Sequence, residues 1–355
     1  MTELIWQPRW SEVRAHHLDW WRGQGLVLWC SAPAAAPHQA LDPPPPPADL
    51  DQRWYGPAWR VRAAQHGLAH TYFGGDSFPL LTACSGAGDL AAYLGCALRL
   101  SPETVWYEPR PEAEPPLLLD RANRYLQAHL ELTRLAAAEC HGRYAIGLPD
   151  LVENLDIHAA LRGPTAAMID LAERPEWVEE RLWRLNEIYF EVFDLFRDAI
   201  GDPEGGNGFC FDIWAPGRTA KVQCDSAAMI SPAMFRRFVV PPLTAQCQWL
   251  DYALFHLDGE DCLCHLEALL AIEPLAAIEW TPRRISVGES GGSPQFYDLY
   301  RRILAAGKSV QAVGVGYDEV LPLLDAVGGR GMYIQTWAEN AERADRLAQR
   351  VDAYR

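Results

Sequence analysis

Two apolar runs of the chain end in ionisable side chains. The run 252–255 is followed by His256 and Asp258, and the run 276–278 ends in Glu279. Buried parallel strands read as continuous apolar runs, and α/β enzymes place their chemistry beyond the carboxyl ends of such strands. A histidine and two carboxylates at neighbouring strand ends can bind a divalent metal or act as an acid and a base. The alternative is a hydrogen-bonded core histidine and an aspartate that begins a helix, but burying charges without a role is costly.

Further polar and aromatic side chains follow or end predicted strands, and we expect them near the same carboxyl ends of the sheet. They are Asp150, Asp212, Trp214, Asp225, Trp280, Gln311 and Gln335, with Asp76 as a lesser candidate. Carboxylates and amides can orient a polar ligand, and an indole can stack on a flat one or simply pack. We predict that Asp225 joins His256, Asp258 and Glu279 as a catalytic residue and that the other six bind substrate. The alternative for Asp225 is that it only organises the loop before a helix that begins at Ser231-Pro232.

Apolar segments of strand length alternate with longer segments of helical periodicity. The strands are predicted at 26–30, 70–74, 143–148, 207–213, 253–257, 276–280, 309–313 and 331–335. The clearest helices are predicted at 120–140 and 175–199. Eight strands separated mostly by helices predict an α/β fold, a (β/α)₈ TIM barrel with an N-terminal extension and insertions. An open doubly wound sheet is the alternative, although both usual nucleotide-binding glycine motifs are absent from the sequence.

The length of 355 residues fits one large barrel or two smaller domains. We predict a single barrel domain over 1–355, with residues 1–65 as an N-terminal extension. This extension contains the run Pro43 to Pro47, which favours a stiff polyproline loop.

Composition limits the partners that the chain can have. Its formal net charge of −16 argues against nucleic acid and anionic membrane, both of which require clustered Lys and Arg. No export signal is recognisable at the first residues, and no apolar run approaches the roughly 18 residues that span a bilayer. The nine cysteines are scattered without a CxxC pair, which is typical of reduced thiols. We therefore expect a cytoplasmic protein.

Three stretches resemble the uroporphyrinogen decarboxylase superfamily, which includes corrinoid-dependent methyltransferases and has a relative in cobalamin-independent methionine synthase. Residues 211–214 resemble the FDxW segment of the family, and residues 225–241 resemble its D…SPxxFxxFVxP stretch. Residues 255–259 occupy the place of its HxCG strand end. The resemblance is clearest between about 208 and 337, and it implies a (β/α)₈ barrel.

The resemblance also implies a metal site with altered ligands. In the methyltransferase branch, zinc is held by the His and Cys of HxC and by a late Cys, and it activates a thiol. Here His256 is kept, Asp258 replaces the first Cys, and the late strand end 334–337 contains no cysteine. Glu279 matches the position of a glutamate ligand in methionine synthase. Because oxygen ligands replace thiolates, we predict zinc or a harder divalent ion on His256, Asp258 and Glu279.

The resemblance therefore implies a methyltransferase-like enzyme that acts on a small methylated compound or a corrinoid-bound methyl group. The corrinoid would be supplied by a partner protein. One alternative is a metal-independent decarboxylase or lyase on a small carboxylated substrate, with Asp212 or Asp225 handling the proton. Uroporphyrinogen itself is disfavoured, because residues 28–31 lack the arginine-rich signature for its carboxylates. Another alternative is a non-catalytic protein that binds a corrinoid or small ligand.

Overall fold

The computed structural model describes residues 3–112, 114–152, 154–201, 207–283, 285 and 288–355. Strands and helices alternate along these residues. The strands are β1 (Val27–Pro33), β2 (Thr71–Gly75), β3 (Leu80–Thr82), β4 (Ala97–Leu100), β5 (Val105–Glu108), β6 (Ala145–Gly147), β7 (Asn207–Phe209), β8 (Ile213–Ala215), β9 (Thr219–Gln223), β10 (Tyr252–Asp258), β11 (Ala277–Thr281), β12 (Ser309–Ala312) and β13 (Met332–Trp337).

The helices pack on the sheets and supply more of the buried apolar side chains than the strands do. They are α1 (Trp10–Trp21), α2 (Leu50–Tyr55), α3 (Pro57–Ala69), α4 (Asp89–Tyr93), α5 (Arg124–Cys140), α6 (Asn154–Arg162), α7 (Pro164–Glu173), α8 (Pro175–Ile200), α9 (Pro232–Met234), α10 (Val240–Trp249), α11 (Leu266–Leu270), α12 (Tyr297–Ala305), α13 (Val320–Val327) and α14 (Ala341–Val351). None of these helices is both long and apolar enough to cross a membrane.

Seven strands form the main sheet, in the order β2-β1-β13-β12-β11-β10-β9. All neighbours in it are parallel except β2, which pairs antiparallel with β1 at the edge. A second sheet has the order β3-β6-β7-β8, with β3, β6 and β7 parallel and β8 antiparallel to β7. The side chain of Asn207, on β7, donates a hydrogen bond to the carbonyl of Thr219, on β9, over 3.0 Å. The mixed α/β class with parallel sheets is thus confirmed.

Each of the eight predicted strand segments contains a strand, and the two clearest predicted helices correspond to α5 and α8. The helix predicted to begin at Ser231-Pro232 is also confirmed, since the Ser231 hydroxyl accepts a hydrogen bond from the backbone N–H of Met234. The strands β3, β4, β5 and β9 were missed, and β8 only begins inside a predicted segment. Of the four missed strands, β3 and β9 belong to the two sheets that carry the parallel strands. β3 has only three residues, and β9 has a lysine and a glutamine among its five residues, so neither reads as a continuous apolar run.

Asp76, a lesser candidate for the mouth, has a structural role instead. Its carboxylate is fully buried at the end of β2 and accepts a hydrogen bond from the backbone N–H of Leu28 over 2.8 Å. Arg355 Nη2 donates to it over 2.6 Å, and His16 Nδ1 lies 2.6 Å away. Asp76 therefore joins β1 and β2 to α1 and to the chain beyond α14.

Candidate metal centre and active site

A row of polar side chains crosses five adjacent strands of the main sheet. Register pairs place side by side Gln223, His256, Glu279, Gln311 and Tyr333, on β9, β10, β11, β12 and β13 respectively. Residues paired in this way point to the same face of a sheet. On β9 and β10 the row lies toward the carboxyl ends of the strands, where the sequence predicted a site, whereas Tyr333 lies near the start of β13.

Three side chains at this edge form a group that can hold a metal ion. Each of Asp225, His256 and Asp258 offers a ligand atom, and these atoms lie within 4.8 Å of one another. Asp225 lies two residues after β9, and the other two residues lie within the last three positions of β10. One imidazole and two carboxylates suit zinc or a harder divalent ion and leave coordination positions open.

Glu279 lies behind His256, outside the group of ligand atoms. Its fully buried carboxylate bonds His256 Nδ1 through one oxygen and accepts from the Thr281 hydroxyl over 2.6 Å through the other. Metal-binding histidines commonly bond a carboxylate through their second nitrogen, which fixes the ring and leaves Nε2 for the ion. Glu279, which the sequence predicted as a metal ligand, contacts the ring of His256 in this structure, and Asp225, predicted as a catalytic residue, lies in the group of possible ligands. Burial lowers the pKa of His256, but Glu279 outweighs this and raises it above its ordinary value.

A second carboxylate holds the turn that carries Asp225 through the backbone of the turn. Asp156 accepts hydrogen bonds from the backbone N–H groups of Asp225 and Ser226, each over 2.8 Å. Gln223 Nε2 donates to Asp225 Oδ2 over 2.8 Å. The Asp225 side chain is open to solvent at the mouth, yet the surrounding protein removes part of its hydration. This desolvation, followed by the charge of Asp156, raises the pKa of Asp225 to about 6.

Replacing Asp156 with alanine is expected to weaken zinc or manganese binding by about 10-fold, the lower end of what loss of an outer partner costs a metal site. The reason is that two backbone N–H groups lose their acceptor, so the turn no longer holds Asp225 beside His256. Isothermal titration of the apoprotein measures this. Asp198→Ala, in an exposed position of α8, is the matched control. Equal affinity in both variants would show that the turn does not depend on Asp156.

A buried lysine beside the site was not among the predicted residues. Lys221 is fully buried on β9, its Nζ lies 2.6 Å from Asp150 Oδ1, and it donates a hydrogen bond to Gln223. Asp150, predicted to bind substrate, is therefore already engaged by an internal cation. The sequence signal was present, since a lysine inside a short segment that is otherwise mostly apolar needs a buried counter-charge.

A strained turn, Cys210–Asp212, brings several predicted residues together. Phe211 and Asp212 have φ of 68° and 60°, which non-glycine residues rarely adopt. Gln311 Nε2 donates to the Phe211 carbonyl over 2.7 Å, and Gln335 Nε2 donates to Asp212 Oδ2 over 2.7 Å. The Phe211 ring lies 4.8 Å from the His256 ring, between centroids. The structure therefore brings Asp212, Gln311 and Gln335 to one turn next to His256.

The two tryptophans predicted to bind substrate are placed elsewhere. Trp280 is fully buried and packs against Phe296, because it points away from the face that carries Glu279, its neighbour on β11. Trp214 is almost fully buried, and its ring lies edge-on to Trp10 at 5.4 Å. Both side chains pack against other aromatic rings in this structure, and their role in substrate binding stays a prediction.

Comparisons with known proteins bear on the fold. No family model matches the chain, and no curated protein sequence matches it. Among solved structures, it is similar to a methyltransferase from Methanosarcina mazei, with a TM-score of 0.60 and 12% identity. The match covers 96% of this chain and 98% of that one. At this identity, the chain shares a distant methyltransferase-like fold with that protein.

Proposed function

We propose that the chain is a methyltransferase-like enzyme of the uroporphyrinogen decarboxylase superfamily. It would act on a small methylated compound or on a methyl group carried by a corrinoid. The observation that carries this proposal is the group Asp225, His256 and Asp258, backed by Glu279 at the carboxyl ends of parallel strands. Fold similarity to a methyltransferase over almost the whole chain supports it.

The proposal includes a (β/α)₈ barrel formed from both sheets. The parallel arrangement of β3, β6 and β7, and the bond from Asn207 to β9, support this closure. The single domain over 1–355 remains part of the proposal. Its first 65 residues, predicted as an extension, supply α1 and also β1, which pairs with β13.

In this proposal Asp225, Asp258 and His256 Nε2 hold a divalent ion, zinc or a harder metal. Bound there, the ion would act as a Lewis acid that lowers the pKa of the group receiving the methyl. Glu279 keeps the His256 ring oriented, and Phe211 covers one side of that ring. Asp225 and Asp258 are exposed at the mouth, so a methyl donor on a separate corrinoid protein can reach them.

A metal-independent decarboxylase or lyase is the second candidate, and one observation favours it. Burial raises the pKa of Asp212 to about 6, even though Gln335 donates a hydrogen bond to it. A carboxyl group that titrates near neutrality can deliver a proton to a carbanion formed by loss of carbon dioxide.

Metal content and methyl transfer test the proposal together. Protein purified without chelator is expected to contain about one equivalent of a divalent metal, the number of ions that one three-ligand group holds. It is also expected to transfer the methyl of methylcobalamin to an added thiol. A protein that contains no metal, retains its fold and takes up none on titration would exclude the metal-dependent proposal. Decarboxylation of small carboxylic acids by that protein would favour the second candidate.

A further inference from the structure

Three side-chain donors around the turn Cys210–Asp212 are already hydrogen-bonded to the turn itself. The Nε2 groups of Gln311 and Gln335 both donate to the turn, and the Tyr333 hydroxyl donates to the Asp212 carbonyl over 2.8 Å. Each of the two glutamine amides also has an acceptor oxygen, and Asp212 adds a carboxylate. A ligand that reaches the turn therefore meets acceptors in place of donors.

One of these acceptors is a buried amide oxygen without a partner. Gln311 is fully buried, and its Oε1 has no hydrogen-bond partner in the part of the chain that the structure describes. Its orientation follows from the network, because a reversed amide would set Oε1 against the Phe211 carbonyl. A buried acceptor left unpaired costs free energy, so this oxygen favours a ligand that donates to it.

The second acceptor is Asp212. One of its carboxylate oxygens accepts from Gln335, and the other has no protein partner among the described residues. Burial raises the pKa of this carboxyl to about 6, and only the Gln335 hydrogen bond counters it, so no nearby cation compensates its charge. At neutral pH the group is still mostly ionised. A positive charge placed beside it would be stabilised in these partly dry surroundings.

The other charged groups at the mouth also leave an excess of negative charge. Lys221 neutralises Asp150, and Glu279 bonds His256. The carboxylates of this region outnumber its cations; they are Asp150, Asp212, Asp225, Asp258 and Glu279, against Lys221 and His256. A mouth with this balance concentrates cations and repels anionic substrates. The Phe211 ring adds an aromatic face, on which an organic cation can rest.

We propose that Asp212 and Gln311 Oε1, at the turn Cys210–Asp212, form a subsite for a protonated amine. The positive charge of the amine lies beside the Asp212 carboxylate, its N–H donates to Gln311 Oε1, and its alkyl groups lie toward Phe211. The proposal deepens the proposed function, on which it rests for one point: the amine is the methylated compound that the enzyme uses.

Three small probes separate charge from hydrogen bonding in metal-stripped protein at neutral pH. Trimethylammonium carries a charge and an N–H donor, tetramethylammonium carries only the charge, and tert-butanol carries only a donor. Saturation-transfer NMR titrations are expected to rank trimethylammonium first, at least about 5-fold tighter than either other probe, because hydrogen bonds that involve charged groups are the stronger ones. Equal binding of all three probes, or no binding of trimethylammonium, overturns the subsite.

Two variants test the named acceptors. Asp212→Asn and Gln311→Leu are each expected to weaken trimethylammonium binding by about 10-fold. Binding of tert-butanol should stay nearly unchanged in Asp212→Asn, and binding of tetramethylammonium should stay nearly unchanged in Gln311→Leu, which in each case also reports an intact pocket. Asp298→Asn, on an exposed position of α12, is the matched control. Trimethylammonium affinity equal to wild type in both acceptor variants also overturns the subsite.

The outcomes for the subsite and for the proposed function are distinguishable. Selective amine binding in a protein that takes up no metal and transfers no methyl group supports the subsite and removes the proposed function. Metal uptake and methyl transfer from methylcobalamin, without selective amine binding, retain the function and remove the subsite.

Discussion

Metal binding is expected to be lost when His256 is replaced with alanine. His256 is the only nitrogen donor of the three-residue group, and its removal leaves two carboxylates that are exposed at the mouth. Loss of an outer partner alone typically costs a metal site about 10- to 100-fold in affinity, so loss of the ligand itself should cost at least about 100-fold. Zinc titration of the apoprotein, with methyl transfer as a second readout, measures the effect. His66→Ala, on α3, is the matched control.

Glu279→Gln gives the graded test of the same site. Glutamine keeps one oxygen that can accept from His256, with its NH2 group turned toward the Thr281 hydroxyl, but it removes the charge that raises the pKa of His256. We expect metal affinity to fall by about 10-fold, less than for His256→Ala, because the ring stays oriented. Glu342→Gln, an exposed position of α14, is the control. Equal losses for the two site variants would instead make Glu279 a ligand, as the sequence alone predicted.

The sequence located the strands of the site but not all of its partners. The apolar runs that end at His256 and Glu279 are buried parallel strands, and such continuous apolar runs can be recognised without a structure. Glu279 could bind the metal itself or hydrogen-bond to His256. The choice depends on distances of a few ångströms between β10 and β11, which strand spacing alone does not fix. Asp225 lies in the ligand group because Asp156 holds its turn by hydrogen bonds, and these two residues are 69 positions apart in sequence.

Strand geometry also explains why the structure does not place Trp280 beside the polar row. A strand end sends alternate side chains to opposite faces, so Trp280 could not share a face with Glu279. That rule was available from the sequence. By contrast, the left-handed conformation of Phe211 and Asp212 has only a weak signal in the sequence, because aspartate is enriched in this region but phenylalanine is not. Their conformation is fixed by donors from Gln311, Tyr333 and Gln335, which belong to distant strands.

Replacing Arg355 with methionine is expected to lower the free energy of unfolding by about 3 kcal/mol, the lower end of the range for breaking one side of a buried ion pair. Arg355 Nη2 lies 2.6 Å from Asp76, which is fully buried, and the guanidinium is itself mostly covered. Without it, the Asp76 charge keeps His16 and the Leu28 N–H as its partners among the described residues. Urea unfolding measures the loss, and Arg350→Met, at an exposed position of α14, is the control.

Two further measurements separate this ion pair from general packing. Burial by itself raises the pKa of Asp76, but His16 and Arg355 outweigh it and hold the pKa below the ordinary 3.8. The stabilisation is therefore present above about pH 4, near the pKa of the unfolded state, and is lost as the pH falls through the lowered value. The deficit of Arg355→Met should shrink accordingly on acidification, and it should also shrink when Asp76→Asn is already present, because no buried charge is then left unpaired. A deficit that is the same at all pH values and in both backgrounds would assign the effect of Arg355 to packing and to its bond with the Leu26 carbonyl.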